Sequence, residues 1–270
     1  MKRALFLAVV ATVLVACATS PTGRRQLMLV SPNQAISASR SAYVEQMRAF
    51  DEKGLISDDK ALVDRVNGIT GRLIAQAVEM RPSTSEWEWS VEVIDDPKTV
   101  NAWCMAGGRM AIYTGLIEQT KATDDEIAQV MGHEIAHALA DHTAERMSVA
   151  MATSVGALAV GIATKDDRVM TGASAAALLA INLPNSRASE TEADRIGIEL
   201  AAKAGYDPRA AASLWKKMGE IGGSGPPQFL STHPAPGNRQ QTLAKLAPQF
   251  MSAYEAPGAR PVYPVKPGNY

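Results

Sequence analysis

The chain has 270 residues, 46% hydrophobic and 20% charged, and its 27 Lys and Arg against 28 Asp and Glu leave a net charge of −1. That is a globular composition with length for a sizeable core and one domain or two. It excludes a nucleic-acid surface, which needs a basic excess or a Lys/Arg stripe.

Residues 1–16 read as a secretion signal: Lys2 and Arg3 precede an apolar run from Ala4 to Ala16. The run is shorter than the roughly 20 apolar residues of a membrane span. It ends in Leu14-Val15-Ala16-Cys17, which resembles the bacterial lipobox. The resemblance implies cleavage before Cys17 and lipidation of that cysteine, which leaves Cys104 without a disulfide partner. The alternative is an ordinary signal peptide with an incidental cysteine. Ala18 rather than Asp after Cys17 implies, by bacterial sorting rules, the outer membrane.

Residues 17–30 read as a lipid-anchored tether, 31–250 as the folded domain, and the Pro-rich segment 251–270 as an unstructured tail. Ser31, Pro32 and Gln34 form a helix start, with the helix running to about Phe50. A second helix begins at a Ser57 cap and carries Leu62, Val66, Ile69, Leu73 and Ala77 as its apolar stripe. Residues 86–95 alternate, with Trp87, Trp89, Val91 and Val93 on one face and a wet face opposite. The tryptophans read as core rather than as a ligand platform. Residues 101–115 read as two strands around Gly107-Gly108. Thr123 with Glu126 is a capping box opening a helix to about Arg146. Two small-residue segments, 148–163 and 169–183, are core helices or a hairpin dipping into a membrane surface. Further helices are expected over 187–204, within 206–223, and after His233-Pro234.

Three of the four histidines fall in the stretch VMGHEIAHALADH, residues 130–142. His133 and His137 are i and i+4 on one helix, so both imidazoles can reach one ion about 2.0–2.1 Å from each nitrogen. Glu134 adjoins that face and is suited to take a proton from a metal-bound water. His142 lies about 140° around the helix from His137 and reads as a surface residue. A catalytic zinc takes three protein ligands and keeps one position open. The segment SRASETEADRIG, residues 186–197, offers Glu190 as third ligand and Asp194 as the carboxylate that aims a ligating histidine through its other ring nitrogen. Glu192 is the rival ligand. The plain reading of that segment, without the His133–His137 pair, is a solvated helix face.

His-Glu-x-x-His followed some fifty residues on by Ser-Arg-x-x-Glu-x-x-Ala-Asp resembles the HtpX, BepA and LoiP type zinc metallopeptidases. These are bacterial relatives of the CAAX prenyl-protease and the mitochondrial Oma protease, and are gluzincins with Glu as third ligand. TGRRQLMLVS (22–31), NAWCMAGGRMAIYTGLI (101–117) and STHPAPGNR (231–239) resemble further family elements, and the layout is most like LoiP. Ala106 departs from the Pro usual before Gly-Gly. The resemblance implies an α+β, mostly helical, zincin-like metallopeptidase domain with a small antiparallel sheet and one Zn2+ per chain. It places His233 near the metal, stabilising the oxyanion or filling the open coordination position; the alternative is a solvent-exposed loop histidine. Arg239 is a site-facing cation or a plain surface arginine. Asn101, Ala102, Trp103, Cys104 and Met105 are the edge strand an extended substrate would join. The implied function is a zinc metalloendopeptidase for misfolded or unfolded envelope proteins, anchored to the outer membrane through Cys17 and facing the periplasm. The competing function is a non-proteolytic, zinc-bound chaperone or binding module. A serine esterase finds no Gly-x-Ser-x-Gly.

Overall fold

The computed structural model describes residues 17–164, 185–221, 227–234, 238–266, 268 and 270. The chain separates into two compact units, Met1–Ser37 with Ala140–Leu183, and Ala38–Leu139 with Pro184–Tyr270. The fold is mostly helical with small sheets.

In the first unit, β1 (Cys17–Thr19) pairs antiparallel with β2 (Arg25–Leu27). The expected tether is therefore ordered over these residues. Arg24 forms a forked ion pair with Glu145, at 2.7 and 2.6 Å, and Gln26 donates to the Ala140 carbonyl at 2.8 Å. A bidentate pair of this kind fixes an orientation as well as a distance. The Val30 amide donates to Ser148 Oγ at 2.9 Å. The Ser31–Gln34 capping box is formed in both directions, opening α1 (Pro32–Asp51).

The helix expected to continue to Arg146 stops earlier. α4 (Asp124–Leu139) ends before Ala140, and Asp141 takes φ +54°. A short polar side chain tolerates this left-handed backbone, which redirects the chain. A new helix, α5 (His142–Thr164), then begins and includes the first small-residue segment. The second segment, 169–183, lies outside the described residues. No described helix is long and apolar enough to cross a membrane. His142 corrects the surface expectation, since it is buried in the first turn of α5. The restart at Asp141 cancels an angle counted along one continuous helix.

In the second unit, α2 (Lys60–Met80) is capped by Asp59, which accepts from the Ala61 and Leu62 amides, rather than by Ser57. Three short strands follow: β3 (Ser90–Ile94), β4 (Ala102–Met105) and β5 (Arg109–Tyr113). Their order is β3-β5-β4, with β4 antiparallel and β3 parallel to β5, so the sheet is mixed. The expected strand over 86–95 is shorter, and its second face is not wet: Ser90 is buried and Glu92 half-buried. Gly107 and Gly108 take φ +91° and +85° in the β4–β5 hairpin. A Cβ on Gly108 would sit 2.6 Å from the Trp89 ring, so the hairpin turn closes onto that buried indole. Beyond the sheet lie α3 (Thr114–Thr120) and α4, then α6 (Arg187–Lys203), α7 (Ala210–Glu220), α8 (Gln228–Thr232), α9 (Arg239–Leu246) and α10 (Met251–Glu255).

The tail expected to be unstructured makes specific contacts over its described residues. After α10, Arg260 donates to the Lys203, Tyr254 and Ala256 carbonyls, which lack acceptor duties at helix ends. The Tyr263 amide donates to Gly71 O, and the Lys266 amide to Trp89 O beside β3. A Cβ on Gly71 would meet Tyr263 O at 2.7 Å, so the strap lies directly on α2. Proline content removed amide donors from this segment but left enough for these contacts.

Two features position α4. At its start, Thr123 and Glu126 form the expected capping box. Glu126 also accepts from Ser213 Oγ at 2.7 Å and Lys217 Nζ at 2.6 Å, both on α7. At its middle, α4 meets α6 backbone to backbone. A Cβ on Gly132 would lie 2.9 Å from Gly197 O, and one on Gly197 would lie 2.7 Å from His133 N.

Gly197→Ala is therefore expected to destabilise the protein by about 3 kcal/mol, because the obstructing atoms are backbone and cannot rotate away. Urea denaturation measures it, and a loss under about 0.5 kcal/mol would show that the two helices separate freely. Glu126 gives a pH signature. Burial alone would raise its carboxyl, but Lys217, the Thr123 amide and Ser213 outweigh burial and hold it below the usual range. A depressed folded value means the contribution is complete above the unfolded value of about 4.3 and is lost as pH falls through the folded one. Glu126→Gln should cost about 1–3 kcal/mol at pH 7 and less at about pH 3. An equal loss at both values would count against the ionised contact.

Candidate metal centre

Four side chains from three helical segments converge in the second unit. His133 and His137 come from consecutive turns of α4, Glu190 from α6, and His233 from the end of α8. All four are buried, and one potential ligand atom from each lies within 4.8 Å of the others. His137 Nε2 lies 3.0 Å from His133 Nε2, which lies 3.2 Å from His233 Nδ1. Glu190 Oε1 lies 3.0 Å from His233 Nδ1 and 3.3 Å from His137 Nε2.

These contacts suit a cation better than a hydrogen-bonded core. One ring nitrogen carries at most one proton, yet His133 Nε2 faces two other ring nitrogens. Ligands about 2.0–2.2 Å from one tetrahedral ion stand about 3.3 Å apart, close to the spacings found here. Three imidazoles and a carboxylate are also a donor set for a borderline-soft divalent metal.

The surrounding groups orient this set. Asp194, one turn beyond Glu190 on α6, has Oδ1 3.1 Å from His133 Nδ1. The His233 ring stacks on Phe229 at 4.4 Å, and Asn185 Nδ2 lies 3.4 Å from its Nδ1. Phe229 is fixed in turn, since its amide donates to the Val100 carbonyl just before β4. Arg239 is buried and site-facing, which resolves the alternatives left open for it. Glu192 is buried but outside the donor group, and Cys104 is likewise outside it.

Glu134 points to the same cavity of donors. His233 Nε2 lies 3.3 Å from its Oε1, which has no hydrogen-bond partner among the described residues. The Cys104 backbone amide donates to this carboxylate, so β4 borders the site. Burial raises the Glu134 pKa, against the pull of His233 and His133. Burial would neutralise His133, but Asp194 and Glu190 outweigh it and raise its pKa to about 9. Burial also disfavours ionised Glu190, yet His133, His137 and His233 hold its pKa far below the usual carboxylate range. Burial, then Glu134, pushes the Cys104 thiol up and keeps it protonated.

The expected edge strand is where the sheet ends. β4 covers Ala102, Trp103, Cys104 and Met105, pairs with β5 alone among the described strands, and is preceded by buried Asn101. Gly132, Gly197, Phe229 and Trp215 were not legible as parts of the site. The one available signal was glycine beside His133 inside a helix, where it costs about 1 kcal/mol against alanine.

Residues 64–247 match the family model described as Peptidase family M48. The mitochondrial metalloendopeptidase OMA1 of Arabidopsis thaliana is 40% identical over 58% of this chain and 31% of its own length. The metalloendopeptidase OMA1 of Bos taurus is 33% identical over 83% of this chain and 45% of its own. The putative beta-barrel assembly-enhancing protease of Vibrio cholerae is 29% identical over 72% of this chain and 40% of its own. The chain thus spans less than half the length of these three curated relatives. With two thirds of its residues inside the family model, and the paired histidines and Glu190 within that stretch, this chain belongs to peptidase family M48.

Proposed function

We propose that the chain is a zinc metalloendopeptidase acting on polypeptides. The observation that carries this reading is the convergence of His133, His137, Glu190 and His233 with Glu134 immediately beside them. His133, His137 and Glu190 would hold the metal. Bound zinc supplies a Lewis acid that polarises a carbonyl and lowers the pKa of water.

Glu134 is the general base. It is buried, and its Oε1, 3.3 Å from His233 Nε2, has no hydrogen-bond partner among the described residues and is free to accept a proton from water. It accepts the proton of the attacking water and returns it to the leaving amine. Asp194 fixes the His133 tautomer by accepting from Nδ1–H, which leaves Nε2 as the ligating nitrogen. His233 Nε2, beside Glu134, is suited to donate to the developing oxyanion. The outer edge of β4 offers backbone groups to an extended substrate, and this pairing reads backbone more than side chain. That supports unfolded or misfolded chains as substrates. The lipobox-like stretch ending at Cys17 supports anchoring at a bacterial envelope membrane, with the outer membrane favoured by Ala18. A relative named for β-barrel assembly fits that compartment, whereas those named mitochondrial share the chemistry in another.

One observation favours a second reading. His233 supplies a fourth donor, and a site closed by four protein ligands is characteristic of structural zinc. The chain would then be a zinc-bound chaperone or binding module for outer-membrane proteins.

Metal content and cleavage of unfolded casein, measured on wild type and Glu134→Gln side by side, separate the two. One zinc per chain in both, with cleavage reduced about 10²–10⁴-fold in the variant, is the expected result. Zinc in both without cleavage in either would favour the binding module. Absence of zinc from the wild type would refute the metal assignment.

A further inference from the structure

Arg239, at the start of α9, is buried among charged groups that its own helix does not supply. Its Nη1 donates to Glu190 Oε2 at 2.9 Å. Its Nε donates to Asp194 Oδ2 at 3.0 Å and its Nη2 to Asp194 Oδ1 at 2.5 Å. The guanidinium carbon lies 3.6 Å from the centre of the Trp215 ring on α7. The fork is thus held in plane by an aromatic face and spans two carboxylates spaced i, i+4 on α6.

We infer that Arg239 is a positioning residue, whose fork holds Oε2 of Glu190 so that Glu190 engages the metal through Oε1. The inference rests on the metal reading above. Glu190 Oε1 faces His137 and His233, while Oε2 accepts from the guanidinium and lies 3.4 Å from His133 Nε2. Without that donor, the carboxylate is free to turn and engage a cation through both oxygens. The same guanidinium grips Asp194, whose Oδ1 aims His133. One side chain therefore sets the pose of a ligand and of the group that aims a second ligand. It also offsets the repulsion of two buried carboxylates one turn apart. Lysine cannot replace it, because a point charge on a flexible stem lacks the planar fork and the stacking face.

The test uses the full chain as wild type, Arg239→Lys, Arg239→Met and Glu190→Gln. Zinc affinity is read by competition with a chromophoric chelator, and ligand geometry from the visible absorption of the cobalt(II)-loaded proteins. Arg239→Lys keeps the charge and is expected to fold, yet to bind zinc about 10–100-fold more weakly. Its cobalt absorption should weaken, because a second Glu190 oxygen raises the coordination number. Arg239→Met should lose at least as much affinity, and Glu190→Gln sets the limit of losing the ligand. A folded Arg239→Lys with zinc affinity within about twofold of wild type and an unchanged cobalt spectrum would overturn the positioning role. Should Arg239→Met fail to fold, the lysine variant alone decides. Wild type without zinc overturns the metal reading and this one together, whereas wild type with zinc and an unaffected lysine variant overturns this one only.

Discussion

The contact between Gly132 and Gly197 is the constraint on which the site rests. Neither residue tolerates a Cβ, because each would press on backbone of the opposite helix. Helices normally keep axes 8–10 Å apart according to their side chains, and two glycines at the crossing permit the closest approach. His133 follows Gly132 directly, and Glu190 and Asp194 precede Gly197 on α6 within about two turns. The crossing therefore brings the two histidines of α4 against the two carboxylates of α6. Glu126 fixes the start of α4 to α7 through Ser213 and Lys217, and α7 also carries Trp215.

Electrostatics complete what packing begins. Glu134, Glu190 and Asp194 are three buried carboxylates, and the Arg239 guanidinium reaches two of them. Uncompensated charge in such a place costs several kcal/mol per ion. A divalent cation beside Arg239 would bring the group to neutrality. The competing pulls on His133, Glu134 and Glu190 express the same crowding from the side of the protons. The His233 ring completes the set from α8, backed by Phe229, whose amide is tied to Val100 just before β4.

Much of the short-range chemistry was legible, although Asp59 rather than Ser57 caps α2. The capping boxes Ser31–Gln34 and Thr123–Glu126 and the Gly107-Gly108 hairpin involve residues within three or four positions, and backbone preference decides them. The pairing of His133 with His137 follows from helical geometry alone. Longer inferences failed where a single backbone angle intervened. Asp141 in the left-handed region ended α4, and with it the basis for calling His142 exposed. The Pro-rich tail looked unstructured by composition, but Arg260, Tyr263 and Lys266 find acceptors on elements far away in sequence.

The sequence by itself determined the histidine pair, the neighbouring glutamate and the two candidate carboxylates of the later helix, because each pair shares one turn of one helix. It also determined the family resemblance. Only the tertiary structure decided that Glu190 rather than Glu192 joins the histidines, that His233 closes the donor set, and that Arg239 faces inward. Those outcomes depend on how α4, α6, α8 and α9 meet. That meeting is set by two glycines that carry no side chain to announce it, and by charges more than forty residues apart that find each other only when the chain is folded.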